Sequence, residues 1–412
     1  MNILIVIIIG IICLEISITA IVRFFRREFQ WLVIKGDERP DLDEAGLQKF
    51  LEHGFDPLLG WIRKPNTTGY DKIPDGKVQY NIDHRGARRN EIISQKSSLI
   101  ATFGDSYTFC RQVSDNETWQ AHMSKTFKAD VLNFGVGNYG VDQALLRYEN
   151  TKLPSSIKIS ILGFVPETIC RIHSYWKHYL EFGNTFAFKP RFVIEEGKLV
   201  LHPNLMQSIN DFRRYKEKLT QINRIDGFYK TKFRSLQFRF PYLFSFLRHP
   251  DRNSKLIYTL VRRKWARLWG LSSLQIENDP FRVIMGYNLW EAHNMYQNKL
   301  ACGLLKEILV RFKQKAEERG HYPVILVMPQ LIDVKIYQDG INSYPEFFSS
   351  LDIGLPVWDL TKMISSQNLS KFYTEDLYGG HFSKLGNEVV AEHLTNKLFE
   401  TFPTMFQGNV NN

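Results

Sequence analysis

Short apolar runs alternate with amphipathic stretches in two parts of the chain, and this alternation predicts an α/β domain. In the first part the pattern predicts strands at Leu99–Phe103, Val131–Phe134 and Ile157–Phe164, with helices at Thr118–Phe127 and Val141–Leu153 between them. Strands that are separated by helices pair in parallel, with the helices covering both faces of the sheet.

The same alternation resumes near residue 289 and completes the sheet. A helical pattern covers Leu289–Arg319, two apolar strands are predicted at Tyr322–Met328 and Leu355–Leu360, and Leu385–Phe399 is predicted as the closing helix. The two parts together predict a flavodoxin-like three-layer sandwich with a parallel sheet of about five strands.

The first apolar segment, residues 3–22, is long enough to cross a bilayer as one helix of about 20 residues. Glu15 is the one charged side chain inside it, which indicates a polar partner or a position near the membrane interface. A secretory signal peptide is the alternative, but no basic side chain precedes the apolar run, so we expect an uncleaved single-pass anchor. Arg23, Arg26 and Arg27 follow the span and favour a cytoplasmic body.

The composition is that of a folded protein with its own core. Apolar residues make up 44% of the chain and aromatic residues 14%, which excludes global disorder. The four cysteines form no pair with metal spacing and no disulfide framework, so neither a metal nor a cofactor is expected. We divide the chain into an anchor with its basic flank (1–27), a connector with a small cap (28–95), the α/β domain (96–165 and 289–402) and an insertion (166–288).

The insertion is rich in basic and aromatic side chains. Residues 213–267 carry sixteen Lys or Arg against three Asp or Glu, interleaved with Phe, Tyr and Trp. Such a mixture fits a membrane surface with anionic lipids, and it also fits nucleic acid or an acidic glycan. Because the N-terminal segment already tethers the chain, we expect the membrane as the partner rather than nucleic acid. A solvated basic face over an aromatic core is the alternative.

A serine follows the first predicted strand, at the edge of the sheet where ligands bind. The apolar run ends abruptly in Gly104-Asp105-Ser106, and open α/β sheets bind ligands at the carboxyl ends of their strands. Asp105 is expected to fix the turn through backbone N–H groups rather than to join the chemistry. Cys110 is expected to be a packed side chain, because no base lies near it in the sequence.

A histidine late in the chain is the candidate base for this serine. His381 stands on a Gly-flanked loop just before the final helix, with Asp376 five and Glu375 six residues upstream. A serine hydroxyl needs a base within about 3 Å, and the base needs a group that orients it. Ser106, His381 and one of the two acids can supply such a triad.

These blocks, together with the Gly/Asn-rich turn after Val131–Phe134, resemble those of the SGNH/GDSL hydrolase superfamily, which includes serine esterases and carbohydrate O-acyltransferases. The resemblance covers roughly residues 95–165 and 290–400. It implies Ser106 as the nucleophile, His381 as the base and Asp376 as the orienting acid. The family places its Asp three residues before the His, where this chain has a Tyr, so Glu375 competes for the role and a Ser–His dyad is the remaining possibility.

The resemblance also implies an oxyanion hole formed by the Ser backbone N–H, a Gly N–H from the second block and an Asn side chain from the third. Here Asn138 stands where Gly is usual, directly after Gly137, and Thr168 stands where Asn is expected. Asn tolerates a left-handed backbone, and a Thr hydroxyl donates one hydrogen bond. We therefore expect Gly137, Asn138 and Thr168 to line the oxyanion site.

The implied activity is that of an SGNH/GDSL-type serine hydrolase acting on ester bonds, either an esterase or an O-acyltransferase. A glycan or lipid-linked ester is the implied substrate, and relatives that modify surface glycans work on the outer side of the membrane, against the orientation that the arginines favour. The alternative is a membrane-anchored, non-catalytic glycan- or lipid-binding protein on the same fold, because Asn138 and Thr168 depart from the family pattern.

Overall fold

The computed structural model describes residues 3–73, 76–90, 98–374 and 380–406. Its strands are β1 (Phe55–Asp56), β2 (Gly60–Trp61), β3 (Thr68–Ile73), β4 (Gly76–Asn81), β5 (Ile100–Gly104), β6 (Val131–Gly135), β7 (Ile159–Phe164), β8 (Arg191–Glu195), β9 (Lys198–His202), β10 (Tyr322–Val327) and β11 (Val357–Asp359).

The helices alternate with the long strands, as the hydrophobic pattern predicts. They are α1 (Ile3–Glu28), α2 (Glu44–His53), α3 (Ser106–Phe109), α4 (Trp119–Phe127), α5 (Val141–Asn150), α6 (Thr168–Arg171), α7 (Lys177–Leu180), α8 (Ile209–Arg213), α9 (Tyr215–Ile225), α10 (Arg234–Leu236), α11 (Tyr242–Arg248), α12 (Pro250–Leu268), α13 (Leu274–Met295), α14 (Lys299–Glu318), α15 (Leu331–Gln338), α16 (Ser343–Ser349), α17 (Thr361–Ser365), α18 (Leu369–Phe372), α19 (Lys384–Thr401) and α20 (Pro403–Phe406).

Five strands form one parallel sheet in the spatial order β6–β5–β7–β10–β11. Numbered by their place in the chain, these strands have the order 2-1-3-4-5, which is the flavodoxin-like order. The short remaining strands pair as antiparallel hairpins, β1 with β2, β3 with β4 and β8 with β9. The predicted α/β sandwich with a five-stranded parallel sheet is confirmed.

Helices cover both faces of this sheet. On one face, Trp119 of α4 and Leu394 of α19 belong to a core that includes Ile159 of β7. On the other face, Phe103 of β5 makes an edge-to-face contact with Tyr148 of α5, with ring centroids 5.2 Å apart. Apolar side chains on both faces of the central strands account for their largely apolar sequences, since a strand covered on both sides needs no polar face.

One predicted helix is in fact two. The pattern over Leu289–Arg319 predicts a single helix, but α13 ends at Met295 and α14 begins at Lys299. Asn298 caps the second helix, because its side-chain oxygen accepts hydrogen bonds from the backbone N–H groups of Leu300 and Ala301 at 2.9 and 3.1 Å. Periodicity alone misses this break, since both helices keep the same apolar spacing.

The chain divides into two compact units. The first, here called the N-terminal unit, comprises residues 1–52, 173–191 and 203–290; the second, the sheet unit, comprises residues 53–172, 192–202 and 291–412. The apolar helix therefore groups with most of the insertion, and the predicted cap (28–95) is shared between the two units. The 26-residue helix Ile3–Glu28 is long and apolar enough to cross a membrane and is a candidate anchor.

Candidate active site

Ser106 lies at the carboxyl edge of the sheet, where β5 passes directly into α3. It is the first residue of that four-residue helix, and its side chain is buried. Asp105 precedes it as the N-cap and accepts a hydrogen bond from the backbone N–H of Tyr107 at 2.9 Å through its Oδ1 atom. The turn between β5 and α3 therefore places the Ser106 hydroxyl at the predicted carboxyl edge of the sheet.

Glycines at the ends of neighbouring strands allow α3 to sit close against the sheet. Gly104 pairs with Gly135 on one side and with Gly163 on the other. A Cβ atom at Gly104 would lie 1.8 Å from the Gly163 carbonyl oxygen, and one at Gly135 would lie 2.2 Å from the Phe109 backbone nitrogen. Any larger side chain would push α3, and with it Ser106, away from the sheet.

Asp105 is a positioning residue, as its place beside the serine predicts. Its Oδ2 atom accepts a hydrogen bond from the Val165 N–H at 2.9 Å and lies 3.3 Å from the guanidinium of Arg171. Burial raises the pKa of the Asp105 carboxyl, while the charge of Arg171 and the backbone donors oppose that rise. The carboxylate ties the end of β5 to the loop that follows β7.

The loop that carries His381 is fastened to the residue after the serine. The Tyr107 hydroxyl donates a hydrogen bond to the Gly380 carbonyl, and the Tyr107 ring lies 4.9 Å from the His381 ring, centroid to centroid. Thr374 donates its backbone N–H to the His381 carbonyl at 2.8 Å. The structure thus holds the His381 ring beside Tyr107, the residue that follows Ser106. Among the described contacts, no hydrogen bond joins the Ser106 and His381 side chains.

The His381 imidazole is neutral in this setting. Burial lowers its pKa to about 3, with smaller contributions from the positive charges of Arg111 and Arg171. A neutral imidazole can accept a proton from a serine, and a carboxylate beside it would make it a stronger base. Both predicted orienting acids, Asp376 and Glu375, lie outside the described residues.

The turn after β6 lies beside Ser106. A Cβ atom at Gly137 would be 4.0 Å from the Ser106 Cβ, so this glycine and the serine are neighbours. Asn138 follows with φ of 67°, the left-handed conformation that its amide side chain tolerates, and it is exposed to solvent. Two of the three predicted oxyanion residues therefore lie on one turn next to the serine.

The hydroxyl of Thr168 is bound to the start of α5. Thr168 is fully buried, and its hydroxyl oxygen accepts a hydrogen bond from the Val141 N–H at 2.8 Å, at the first turn of α5. Its oxygen therefore satisfies one of the open N–H groups at that helix end. The hydroxyl keeps one proton to donate, but its place is set by α5.

Two contributors to the site, Arg111 and Trp61, escaped sequence reasoning, whereas the resemblance implies a place for Arg171 near the site. Arg111 approaches His381 closely enough to lower its pKa, and its Nε atom lies 3.2 Å from Asp71. Trp61 donates its indole N–H to the Gly137 carbonyl at 3.0 Å. Arg171 is buried and pairs with Glu167 at 2.6 Å as well as with Asp105. The spacing of Arg111 five residues after Ser106 was an available signal, whereas the Trp61 contact spans too much sequence to be read from a pattern.

The sheet unit holds a hydrogen-bonded Ser–His–Asp arrangement that does not include Ser106 or His381. The Ser343 hydroxyl lies 2.9 Å from Nδ1 of His293, and Nε2 of the same ring lies 3.0 Å from the Asp333 carboxylate. His293 and Asp333 are almost completely buried. Asp333 also accepts a hydrogen bond from the Gln330 backbone N–H at 2.8 Å, at the start of α15. This arrangement joins three helices and provides an internal comparison for Ser106.

Comparisons with known proteins give little beyond this geometry. Within the described residues, no three His, Cys, Asp or Glu side chains are grouped so as to hold a metal ion. No protein-family model matches the chain, and no curated protein matches it. Among solved structures, the chain is similar to "a putative lipolytic protein of G-D-S-L family" from Desulfitobacterium hafniense DCB-2, with 9% identity and a TM-score of 0.30. The match covers 73% of this chain and 98% of that one.

Proposed function

We propose that the protein is a membrane-anchored serine hydrolase of the SGNH/GDSL type that cleaves or transfers an ester-bound acyl group. The observation that supports it most strongly is the Tyr107 contact, because one residue fixes both the serine that precedes it and the loop that carries His381. A nucleophile and its base must be held in register for the proton transfer to be fast.

In this proposal Ser106 attacks the ester carbonyl carbon while its hydroxyl proton passes to His381. The negative charge that develops on the carbonyl oxygen is stabilised by backbone N–H groups of Ser106 and of the Gly137–Asn138 turn. His381 then gives its proton to the leaving alcohol, and an acyl-serine remains. Water or an acceptor hydroxyl attacks the acyl group and regenerates Ser106.

Asp376 is the proposed orienting acid, with Glu375 as its competitor. A carboxylate beside His381 would offset the effects of burial and of the two arginines on the imidazole pKa. Thr168 enters the proposal as a further oxyanion donor whose position depends on α5. The proposed substrate is an ester-bearing glycan or lipid-linked molecule, in keeping with the candidate anchor helix.

A non-catalytic binding protein is the second candidate. The absence of a hydrogen bond between the described side chains of Ser106 and His381, together with the low pKa of His381, favours it. Arg111 and Arg171 would then serve to hold an anionic ligand.

Turnover of a small activated ester separates the two candidates. The full chain in detergent should release nitrophenol from p-nitrophenyl acetate, and Ser106→Ala should lower that rate by about three orders of magnitude or more. Ser343→Ala is the matched control, because it removes a serine hydroxyl that lies within hydrogen-bond distance of His293, a histidine that contacts Asp333. If Ser106→Ala keeps the wild-type rate, the binding protein is the better account.

A further inference from the structure

The outward side of α12 carries an apolar stripe beside the exposed Lys255 and Arg262, and such a stripe is unusual for a helix on a protein surface. Its inward residues Leu256 and Leu260 are buried in the core of the N-terminal unit. The opposite side carries a stripe at three- and four-residue spacing, with exposed fractions of 67% for Tyr258, 37% for Val261, 58% for Trp265, 70% for Leu268 and 69% for Trp269. An amphipathic helix in water places polar residues there.

The preceding helix, α11, presents a similar face. Tyr242 and Ser245 point into the unit and are buried, whereas Phe244 and Leu247 are 67% and 56% exposed. Phe240, just before the helix, is 77% exposed. We call these outward side chains of the two helices the apolar face: Phe240, Phe244, Leu247, Tyr258, Val261, Trp265, Leu268 and Trp269. Single exposed apolar residues need no explanation, but such a set marks a contact with an apolar partner.

Glu15 connects this face to the candidate membrane anchor. Its two carboxylate oxygens accept hydrogen bonds from the backbone N–H groups of Tyr242 and Leu243, at 2.6 and 2.7 Å. The one charged residue of the apolar segment thus caps α11. An apolar medium requires that a carboxylate and the open N–H groups of a helix end satisfy each other.

The position of Glu15 along α1 shows which part of α1 lies beside α11. Glu15 precedes Arg23 by eight residues, which is about 12 Å along a helix. The start of α11 therefore lies beside the apolar part of α1 and not beside its basic end. Val22 and Phe25 of α1 share one core with Leu256 of α12, so the three helices form a single packed body. If α1 crosses a bilayer, α11 is carried into the apolar layer with it.

Free positive charge is not the distinguishing feature of the surface formed by residues 213–267. At least ten of the sixteen cations in residues 213–267 lie within 4.0 Å of a described carboxylate, and several of these carboxylates come from outside that range, such as Glu28 and Asp279. The ten are Arg213, Arg214, Lys216, Lys218, Arg234, Arg239, Lys255, Arg262, Lys264 and Arg267. The basic excess that the sequence suggests as a lipid-binding feature is in large part neutralised within the unit.

We infer that the apolar face is embedded in a lipid bilayer, on the half that surrounds the carboxyl-terminal half of α1. Tyr and Trp side chains at its edges suit the boundary between acyl chains and headgroups. The inference rests on the anchor in the proposed function and is independent of ester chemistry. It implies that most of the exposed aromatic residues of the insertion contact lipid, and that this contact does not require anionic headgroups.

Photocrosslinking of the full chain in phosphatidylcholine vesicles tests this inference. The photoreactive residue p-benzoylphenylalanine replaces Phe244 in one variant, Trp265 in a second and the exposed Gln48 of α2 in a control. After irradiation, mass spectrometry should find lipid attached at the first two positions and not at the third. Leu247 and Trp269 offer an alternative position on each helix if a variant does not fold.

Three results would overturn the inference. One is a crosslink from Phe244 or Trp265 to a second copy of the chain, which would make the face a protein interface. Another is the absence of lipid adducts while alkaline carbonate leaves the chain in the vesicles, which would mean that the anchor holds but the face does not touch lipid. If carbonate extracts the chain from the vesicles, α1 is not a membrane anchor, and the inference that depends on the anchor is wrong as well. Ester turnover in the same sample reports separately on the proposed activity.

Discussion

The hydroxyl of Tyr107, which follows Ser106 in the chain, donates a hydrogen bond to the carbonyl of Gly380, which precedes His381. One side chain thus joins two blocks that are 273 residues apart in the sequence. Glycines at the strand ends let α3 pack closely against the sheet. Tyr107 on α3 therefore has a fixed position, and its hydroxyl positions the loop that carries His381.

Tyr107→Phe should therefore impair turnover more than stability. The variant keeps the ring contact with His381 but leaves the buried Gly380 carbonyl without its donor, at a cost of about 1–3 kcal/mol. We expect kcat for ester cleavage to fall at least tenfold while KM changes little. Tyr296→Phe is the control, since it also removes a buried hydroxyl that donates to a carbonyl, that of Pro166 at 2.7 Å. Equal kcat values for the two variants would contradict a positioning role.

His381 should make the protein sensitive to acid. Its pKa is about 3 in the folded state, below the ordinary value of 6.5, so the folded state resists protonation. Its contribution is fully present above pH 6.5 and is lost as the pH falls toward 3, with a total of roughly 3–5 kcal/mol. Urea unfolding between pH 7 and pH 4 should show a shallower loss of stability for His381→Gln than for the wild type. Parallel curves would contradict this low pKa and would indicate that the proposed carboxylate beside His381 offsets the effect of burial.

The glycines at the strand ends predict a contrast between two alanine variants. Gly104→Ala places a Cβ within 1.8 Å of a backbone oxygen, whereas the nearest atom to a Cβ at Gly137 is 3.9 Å away. Gly104→Ala should destabilise the fold by about 3 kcal/mol or more, and Gly137→Ala should leave it close to wild type. Thermal unfolding followed by circular dichroism measures both. Similar melting temperatures for the two would argue against the close packing of Gly104 against Gly163 of β7.

Thr168→Val should lower both stability and turnover. The valine leaves the Val141 N–H at the start of α5 without an acceptor, at a cost of about 1–3 kcal/mol, while Thr168→Ser restores it. Because the variant also lacks the proposed oxyanion donor, we expect kcat of the folded variant to fall by about two to three orders of magnitude. A kcat within a few-fold of wild type, measured on the folded variant, would limit Thr168 to its contact with α5.

The sequence predicts the sheet well because its strands are buried on both faces. Such strands appear as apolar runs, and the run at Val131–Phe134 differs by one residue from the observed strand, Val131–Gly135. The turn at Asp105 is also predicted, because N-capping depends on residues that are neighbours in the sequence. Contacts between distant segments leave no such trace, and neither the Trp61 bond to Gly137 nor the Glu15 cap of α11 could be read from spacing.

The most direct test of the central claim is the residue that a fluorophosphonate probe modifies in the full chain. Such a probe reacts with a serine only when a base activates its hydroxyl. Digestion and mass spectrometry should locate the phosphonate on Ser106, with labelling abolished in Ser106→Ala and in His381→Gln and retained in Ser343→Ala. Labelling of Ser343, or of no serine at all in a folded wild-type chain, would contradict the account.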